Sequence, residues 1–231
     1  MDKIQIIENL FYNILVYSFL VPLGSFFFYK KIKSEAGFFI IIFYSVLFFL
    51  LNIFFPFFDS RGTLKLYYSV YTFLEYTSFT LLFYLKIKTK IFKFLIITLT
   101  ILFIAFQIFH YYNIKDREID SLPIGVETIL LFTYIIFYFY EQFKQPNVDY
   151  IYKNHVFWIA FGVMIYLGGS FFFYLLANYM STIRQYWDLT YIGDVLKNII
   201  FLYSLIVLKR SISKDSSHSK KNIPYLDMDF T

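Results

Sequence analysis

The last apolar stretch of the sequence contains charged and polar residues. Asp194, Lys197 and Asn198 follow i, i+3, i+4 spacing within residues 189–208, and Tyr191 stands one turn earlier. This spacing puts the side chains on one face of a helix. A charge in hydrocarbon costs roughly 3 kcal/mol on insertion scales. We therefore expect this face to turn toward other helices and to meet an opposite charge there.

Glu75 is the predicted partner of Lys197. At a rise of about 1.5 Å per residue, Glu75 lies roughly 17 Å from Lys86, and Lys197 lies roughly 18 Å from Lys209. The two groups reach the same depth if both basic residues mark one side of the membrane. An ion pair would lower the insertion cost of both charges. In known seven-helix bundles the third and last helices are close together, so the pairing rests on that analogy.

More polar residues fall toward the opposite side of the membrane. The same rise places His110 and Glu127 roughly 25 Å, and Asp194 roughly 22 Å, from the basic side. We expect these residues to line a polar cavity open to the outside, with tyrosines that stack and donate hydrogen bonds. Two plainer interpretations stay open. His110 and Glu127 could lie in the wet headgroup layer, and the Glu75–Lys197 pair could serve only to fix helix register.

The composition is that of an integral membrane protein. Hydrophobic residues make up 59% of the 231 residues, charged residues only 16%, and the mean hydropathy is +0.59. We predict an all-α fold of one seven-helix transmembrane domain, residues 1–208, and a cytoplasmic tail, residues 209–231. The tail is expected to be disordered or to fold only on a partner. Runs of about 20 apolar residues give the seven spans, at 9–29, 37–58, 66–85, 94–112, 124–143, 155–177 and 189–208.

Lysine and arginine are concentrated in the first, third and fifth loops and in the tail. Basic residues favour the cytoplasmic side, which predicts an outside N-terminus and a cytoplasmic C-terminus. The net charge of +5 is therefore interpreted as topology and contact with the lipid bilayer, with no nucleic acid as a partner.

The sequence offers little for catalysis. The chain has no cysteine, and its three histidines are His110, His155 and His218, which lie in separate segments. There is no H-E-x-x-H, G-x-S-x-G or glycine-rich phosphate motif. We expect no enzyme activity, metal or cofactor. A retinal protein is disfavoured because Asp194 lies three residues before Lys197, not four, and the third span lacks that family's arginine.

Three segments carry a resemblance: YTFLEYTSFTLLFYL, FWIAFGVMIYLGGSFFFYLLANY and DVLKNIIFLYSLIVLKR. They resemble a group of small, uncharacterised seven-helix membrane proteins common in Bacteroidetes-type bacteria. The group's third-helix glutamate corresponds to Glu75, its Phe-Trp pair to Phe157 and Trp158, and its last-helix asparagine to Asn198. The resemblance implies a sensory or signalling association, sometimes beside histidine kinases.

The chain departs from that group at Thr190, where many members carry histidine, and at Asp194, where they carry asparagine. Ligand or proton chemistry shared with the group is therefore not implied.

The sequence favours a membrane sensor or signalling protein that acts through a cytoplasmic or membrane partner. A ligand or a proton at the buried charges would shift the packing of the helices. A transporter or channel subunit, and a homo-oligomeric effector or scaffold, remain as alternatives. The candidate ligand-binding or switch residues are Glu75, Asp194, Lys197, Asn198, Tyr191, His110 and Glu127.

Overall fold

The computed structural model describes residues 3–28, 35–58, 60–113, 121–144, 151–176 and 188–221. Within these ranges the chain is helical and contains no strand, which confirms the all-α prediction. Short 3₁₀ turns occupy Phe55–Phe57 and Ile151–Lys153. The α-helices are α1 (Lys3–Ser18), α2 (Leu20–Phe28), α3 (Ala36–Phe54), α4 (Arg61–Lys86), α5 (Lys90–Asn113), α6 (Ser121–Phe143), α7 (His155–Leu176) and α8 (Asp188–Lys221).

Five helices are long and apolar enough to cross a membrane, as in a multi-pass membrane protein. These segments are 19 to 24 residues long, and a helix needs about 20 residues to span the hydrocarbon core. Their outer faces carry large exposed apolar side chains such as Phe43, Ile101 and Phe109, which lipid would cover. The segments are Ala36–Phe57, Lys90–Asn113, Leu122–Phe143, His155–Phe173 and Thr190–Ile212.

The other two predicted spans are also helical, but each differs from a plain apolar helix. The first is interrupted at Phe19, between α1 and α2. Pro22 explains the break, because its ring clashes with the carbonyl of Ser18, four residues earlier, and it lacks a backbone N–H. The third, α4, is 26 residues long, and its serine, threonine, tyrosine and Glu75 side chains make it less apolar.

The last helix extends into the predicted tail. Helix α8 is 34 residues long and continues to Lys221, and the disorder of the tail, or its folding on a partner, stays a prediction. Adding residues to an existing helix is much easier than starting one, and residues 209–221 contain neither glycine nor proline. Residues 222–231 lie outside the described residues.

Helix α8 packs along α7 and against α1 and α2, while α4 packs against α3, α5 and α6. The contact of α8 with α7 is close at Gly162, where an added Cβ would lie 3.2 Å from Ile200 and 3.3 Å from Phe201. Glycine thus lets the two helices approach, as small residues do in membrane helix pairs.

Glu141 near the end of α6 binds the connection between α4 and α5. Its carboxylate accepts hydrogen bonds from the backbone N–H of Lys88 at 2.7 Å and of Thr89 at 3.0 Å. Lys90 begins α5, so Glu141 provides acceptors for N–H groups at a helix start that no intrahelical partner reaches.

Candidate functional site

Lys197 lies at the centre of a buried polar cluster. Its side chain has no solvent exposure. The Nζ atom donates to Asp194 Oδ1 at 2.7 Å and to the Tyr44 hydroxyl at 2.7 Å, and lies 3.5 Å from Glu75 Oε1. The predicted pair of Glu75 and Lys197 is therefore present, but Asp194 is the nearer carboxylate.

Two tyrosines complete the cluster. Tyr44 donates its hydroxyl proton to Glu75 Oε1 at 2.8 Å, and Tyr166 donates to Oε2 at 3.0 Å. The Lys197 ammonium lies 3.6 Å from the centroid of the Tyr166 ring, which is a cation–π contact. Because Tyr44 belongs to α3, Glu75 to α4 and Tyr166 to α7, the cluster joins α8 to three other helices.

An aromatic layer closes the cluster on the side where α4 ends. Phe79 and Phe201 stand one helical turn beyond Glu75 and Lys197, and both are fully buried. The ring centroid of Phe79 is 4.9 Å from that of Tyr44 and 6.0 Å from that of Phe201. The charged groups are thus shielded from that end of the bundle by packed rings.

A cavity of about 70 Å³ lies on the opposite side of the cluster. One water molecule requires roughly 10–15 Å³ measured in this way, so the cavity has room for several waters or a small organic molecule. Its deeper wall carries the carboxyl groups of Glu75, Glu127 and Asp194. The wall nearer the end of the bundle is aromatic, with Tyr12, Phe55, Tyr67, Tyr68, Tyr71 and Tyr191; we call these six side chains the aromatic wall.

Glu127 differs from the other two acids of the cavity. It is only 1% exposed, and it lies close enough to Glu75 and Lys197 to interact with them electrostatically. Yet its Oε1 atom accepts no hydrogen bond from any described residue. A buried polar atom without a partner costs about 1–3 kcal/mol or more, so this oxygen has an unused capacity to bind a proton or a ligand.

The seven candidate residues do not all meet. Five of them form one site, in which Glu75, Asp194 and Lys197 make the cluster and Glu127 and Tyr191 line the cavity. Asn198 turns toward α1, where its Nδ2 donates to Ser18 Oγ at 2.7 Å. His110 is buried on α5, with its ring 5.7 Å from that of Phe106, and it is not among the residues that line the cavity.

Tyr44 and Tyr166 are site residues that the sequence analysis missed. A depth comparison could have found them: Tyr44 lies roughly 17 Å from Lys33, and Tyr166 roughly 20 Å from Lys153, at 1.5 Å per residue. Both therefore fall at the depth of Glu75. The chain has 23 tyrosines, however, and depth does not tell which of them face inward.

Across the described ranges, no group of three or more histidine, aspartate or glutamate side chains is arranged to hold a metal ion. The chemistry present is that of an ammonium group shared between carboxylates and phenols, beside a cavity. Such groups can exchange protons and bind polar or charged ligands.

The fold and the site together define a helical, multi-pass class of membrane protein with a buried lysine–carboxylate cluster. Comparison of the chain with protein-family models, curated proteins and solved structures finds no match. The resemblance to a Bacteroidetes-type group stays a prediction.

Proposed function

We propose that this chain is a seven-helix sensor of a bacterial inner membrane, in which the occupant of the cavity controls helix packing and thereby a signalling partner at the cytoplasmic side. Two features support seven spans. Helices α1 and α2 together form an apolar rod, and α4 is long enough to cross beside the five more apolar helices. The basic loops support an outside N-terminus.

The observation that carries the proposal is the double role of two carboxylates. Glu75 and Asp194 both line the cavity and both pair with Lys197. A ligand or a proton that neutralises Glu75 would weaken the contact that joins α8 to α4, and one that neutralises Asp194, on α8 itself, would remove the nearer carboxylate partner of Lys197. This is the direct coupling between a binding site and helix packing that a sensor requires.

The energy available in the cluster is sufficient for a switch. Removing one partner of a buried ion pair costs about 3–5 kcal/mol. Moving a two-state equilibrium from 1:99 to 99:1 takes about 5.5 kcal/mol. Neutralising one carboxylate would thus shift most of the population between two packing states.

The alternatives have less support. A transporter or channel would need the aromatic layer around Phe79 and Phe201 to open, and these rings are fully buried and packed against each other. An effector or scaffold that only oligomerises would have no use for a cavity whose wall carries a Glu127 oxygen that has no hydrogen-bond partner among the described residues.

A distance measurement between two labels tests the proposal without knowledge of the partner. The chain has no native cysteine, so Thr89→Cys and Ser211→Cys, both at exposed positions, give a clean pair of spin labels. The first lies just after the end of α4, and the second lies in the last part of α8. We expect Glu75→Gln to change the distance distribution, because it removes a charge from the cluster.

Glu35→Gln is the matched control, since it neutralises a glutamate that pairs with Lys86 away from the cluster. The proposal is wrong if folded Glu75→Gln protein shows the wild-type distribution. Once a signalling readout is known, Glu75→Gln and Lys197→Met should lock or abolish it while both proteins still insert. A parallel flux assay in proteoliposomes should show no uptake, and uptake would favour a transporter.

A further inference from the structure

We infer that the cavity binds a small organic cation whose ammonium group, primary or quaternary, sits between Glu127 and the aromatic wall. The inference rests on the proposed function, because it names the class of ligand for the same cavity. Binding is nevertheless measurable apart from any conformational response.

The charges around the cavity do not balance among the described residues. Glu75, Asp194 and Glu127 provide three carboxyl groups, whereas Lys197 is the one cationic group that contacts them. Glu75 and Asp194 share that ammonium. Glu127 does not contact it, and its Oε1 atom has no described partner. A second cation in the cavity would supply the missing charge, at a place where burial makes an unpaired carboxylate costly.

The aromatic wall selects the type of cation. Its rings pack on one another, with the centroid of Phe55 5.0 Å from that of Tyr67 and the centroid of Tyr12 6.4 Å from that of Tyr191. Aromatic faces attract organic ammonium groups by about 2 kcal/mol or more where water is excluded. Quaternary ammonium ligands are held in aromatic cages of this kind.

The protein already holds one ammonium group in the same manner. The Lys197 Nζ atom lies 3.6 Å from the Tyr166 ring centroid and 2.7 Å from Asp194 Oδ1. A tyrosine face together with a carboxylate is therefore a workable environment for an ammonium in this bundle. The cavity offers the same two kinds of group, with Glu127 as the acid.

The size and chemistry of the cavity disfavour a bare metal ion. Hard ions such as Ca²⁺ take six to eight oxygen ligands, and the described acids do not form a cluster with metal-ligand spacing. The volume of about 70 Å³ corresponds to several waters, which is the scale of a methylammonium, tetramethylammonium or choline headgroup.

The test compares cations with a neutral molecule of the same shape. Purified full-length protein in lipid nanodiscs is titrated with tetramethylammonium, with choline and with 3,3-dimethyl-1-butanol, the uncharged analogue of choline, by calorimetry at constant ionic strength. We expect saturable binding of at least one of the two cations, at least tenfold tighter than that of the alcohol. Equal binding of the alcohol, no cation binding, or equal competition by sodium and potassium chloride would overturn the inference.

Two sets of variants locate the site. Glu127→Gln should weaken binding of the cation at least tenfold, whereas Glu35→Gln should leave it unchanged. Tyr191→Leu should weaken binding, and Tyr191→Phe, which keeps the ring, should not. The tyrosine pair decides the matter if Glu127→Gln does not fold. Wild-type affinity in both Glu127→Gln and Tyr191→Leu contradicts the inference.

The outcomes separate this inference from the proposed function. Cation binding with no effect of Glu75→Gln on the label distance would support the proposed binding site and contradict the proposed sensor function. A change of the label distance in Glu75→Gln without cation binding would support the proposed sensor function and contradict an organic cation as its ligand.

Discussion

Lys197 is tolerated in an apolar bundle because side chains of its own helix and of three other helices contact its ammonium group. Its ammonium contacts Asp194, Glu75, Tyr44 and the face of Tyr166, so neither its charge nor its donors lack a partner. Desolvation of such an ion costs several kcal/mol, and only good geometry on all sides offsets it. The lysine therefore has a large effect on stability when it alone is removed.

Lys197→Met should destabilise the fold by about 3–5 kcal/mol, because Asp194 and Glu75 then remain buried without their cation. Lys197→Met combined with Asp194→Asn should recover part of this loss, since one uncompensated charge is gone. Lys88→Met, at an exposed position, serves as the control and should stay within about 0.5 kcal/mol of wild type. Denaturant unfolding in micelles measures all three, and a fully stable Lys197→Met protein contradicts the prediction.

At the scale of residues, helix rise converts residue number into depth, which placed Glu75 and Lys197 at one level. Their pairing also needed the analogy with known seven-helix bundles. It did not show which way side chains point around each helix. This is why His110, placed at a suitable depth, lies outside the cavity lining, and why Asn198 binds Ser18 on α1. For the same reason, the sequence did not show which tyrosines bind Glu75, and Tyr44 and Tyr166 were missed.

Helices α7 and α8 approach each other closely at Gly162. Gly162→Leu should force them apart and destabilise the protein by about 1–3 kcal/mol, as overpacking does, because even a Cβ would lie 3.2 Å from Ile200. Gly169→Leu on the same helix is the matched control, since no described atom lies within 4 Å of its Cβ position. Thermal unfolding compares the pair, and equal stability of the two variants would contradict this account.

The start of α3 is tied to the end of α4 by an ion pair outside the spans. Lys86 Nζ lies 2.8 Å from Glu35 Oε2, and this hydrogen bond lowers the pKa of Glu35. Because this pKa is lowered, the ion pair stabilises the folded protein fully at pH values above the ordinary glutamate pKa of about 4.3. This stabilisation is lost as the pH falls through the lowered value.

Glu35→Gln should therefore cost up to about 1 kcal/mol at pH 7, the range for a solvent-exposed pair, and almost nothing well below the lowered pKa of Glu35. Unfolding of wild type and variant across this pH range measures the difference. High salt at pH 7 should also reduce it. A difference that persists at low pH would show that the ion pair is not its cause.

At the scale of elements, apolar runs located the helices well, but their ends less well. The break that separates α1 from α2 is explained by Pro22, but the apolar run continues through it. The extension of α8 to Lys221 was missed because hydropathy marks where apolar residues stop, not where a helix does. Helix α4 packs against α3, α5 and α6, and its Glu75 and Tyr76 side chains form hydrogen bonds with those helices. A hydropathy threshold alone therefore undervalues this helix.

The orientation of the whole molecule can be tested with single cysteines. Ser60→Cys precedes α4 and Thr89→Cys precedes α5, and both positions are exposed. A membrane-impermeant maleimide should label Ser60→Cys in intact cells. It should label Thr89→Cys only after the cells are permeabilised. The reverse pattern would invert the proposed orientation, and labelling of both in intact cells would exclude α4 as a span.

At the scale of the whole molecule, composition alone fixed the class, because 59% hydrophobic residues cannot be hidden inside a small soluble bundle. The arrangement of helices could not be derived from composition, because the sequence of an apolar helix does not indicate which other helices it packs against. The contact between α4 and α8 was anticipated only through their charges and the analogy with known seven-helix bundles. The cavity depends on side chains from several helices, and no single stretch of sequence describes it.

The carboxylate of Glu141 has a consequence for motion. By holding the backbone of Lys88 and Thr89, it locks the α4–α5 hairpin to α6 at one end of the molecule. We expect these three helices to move together. A rearrangement that starts at Lys197 would then move α8 and the helices beside it relative to α4, α5 and α6, and hydrogen exchange at the N–H groups of Lys88 and Thr89 should stay slow in every state.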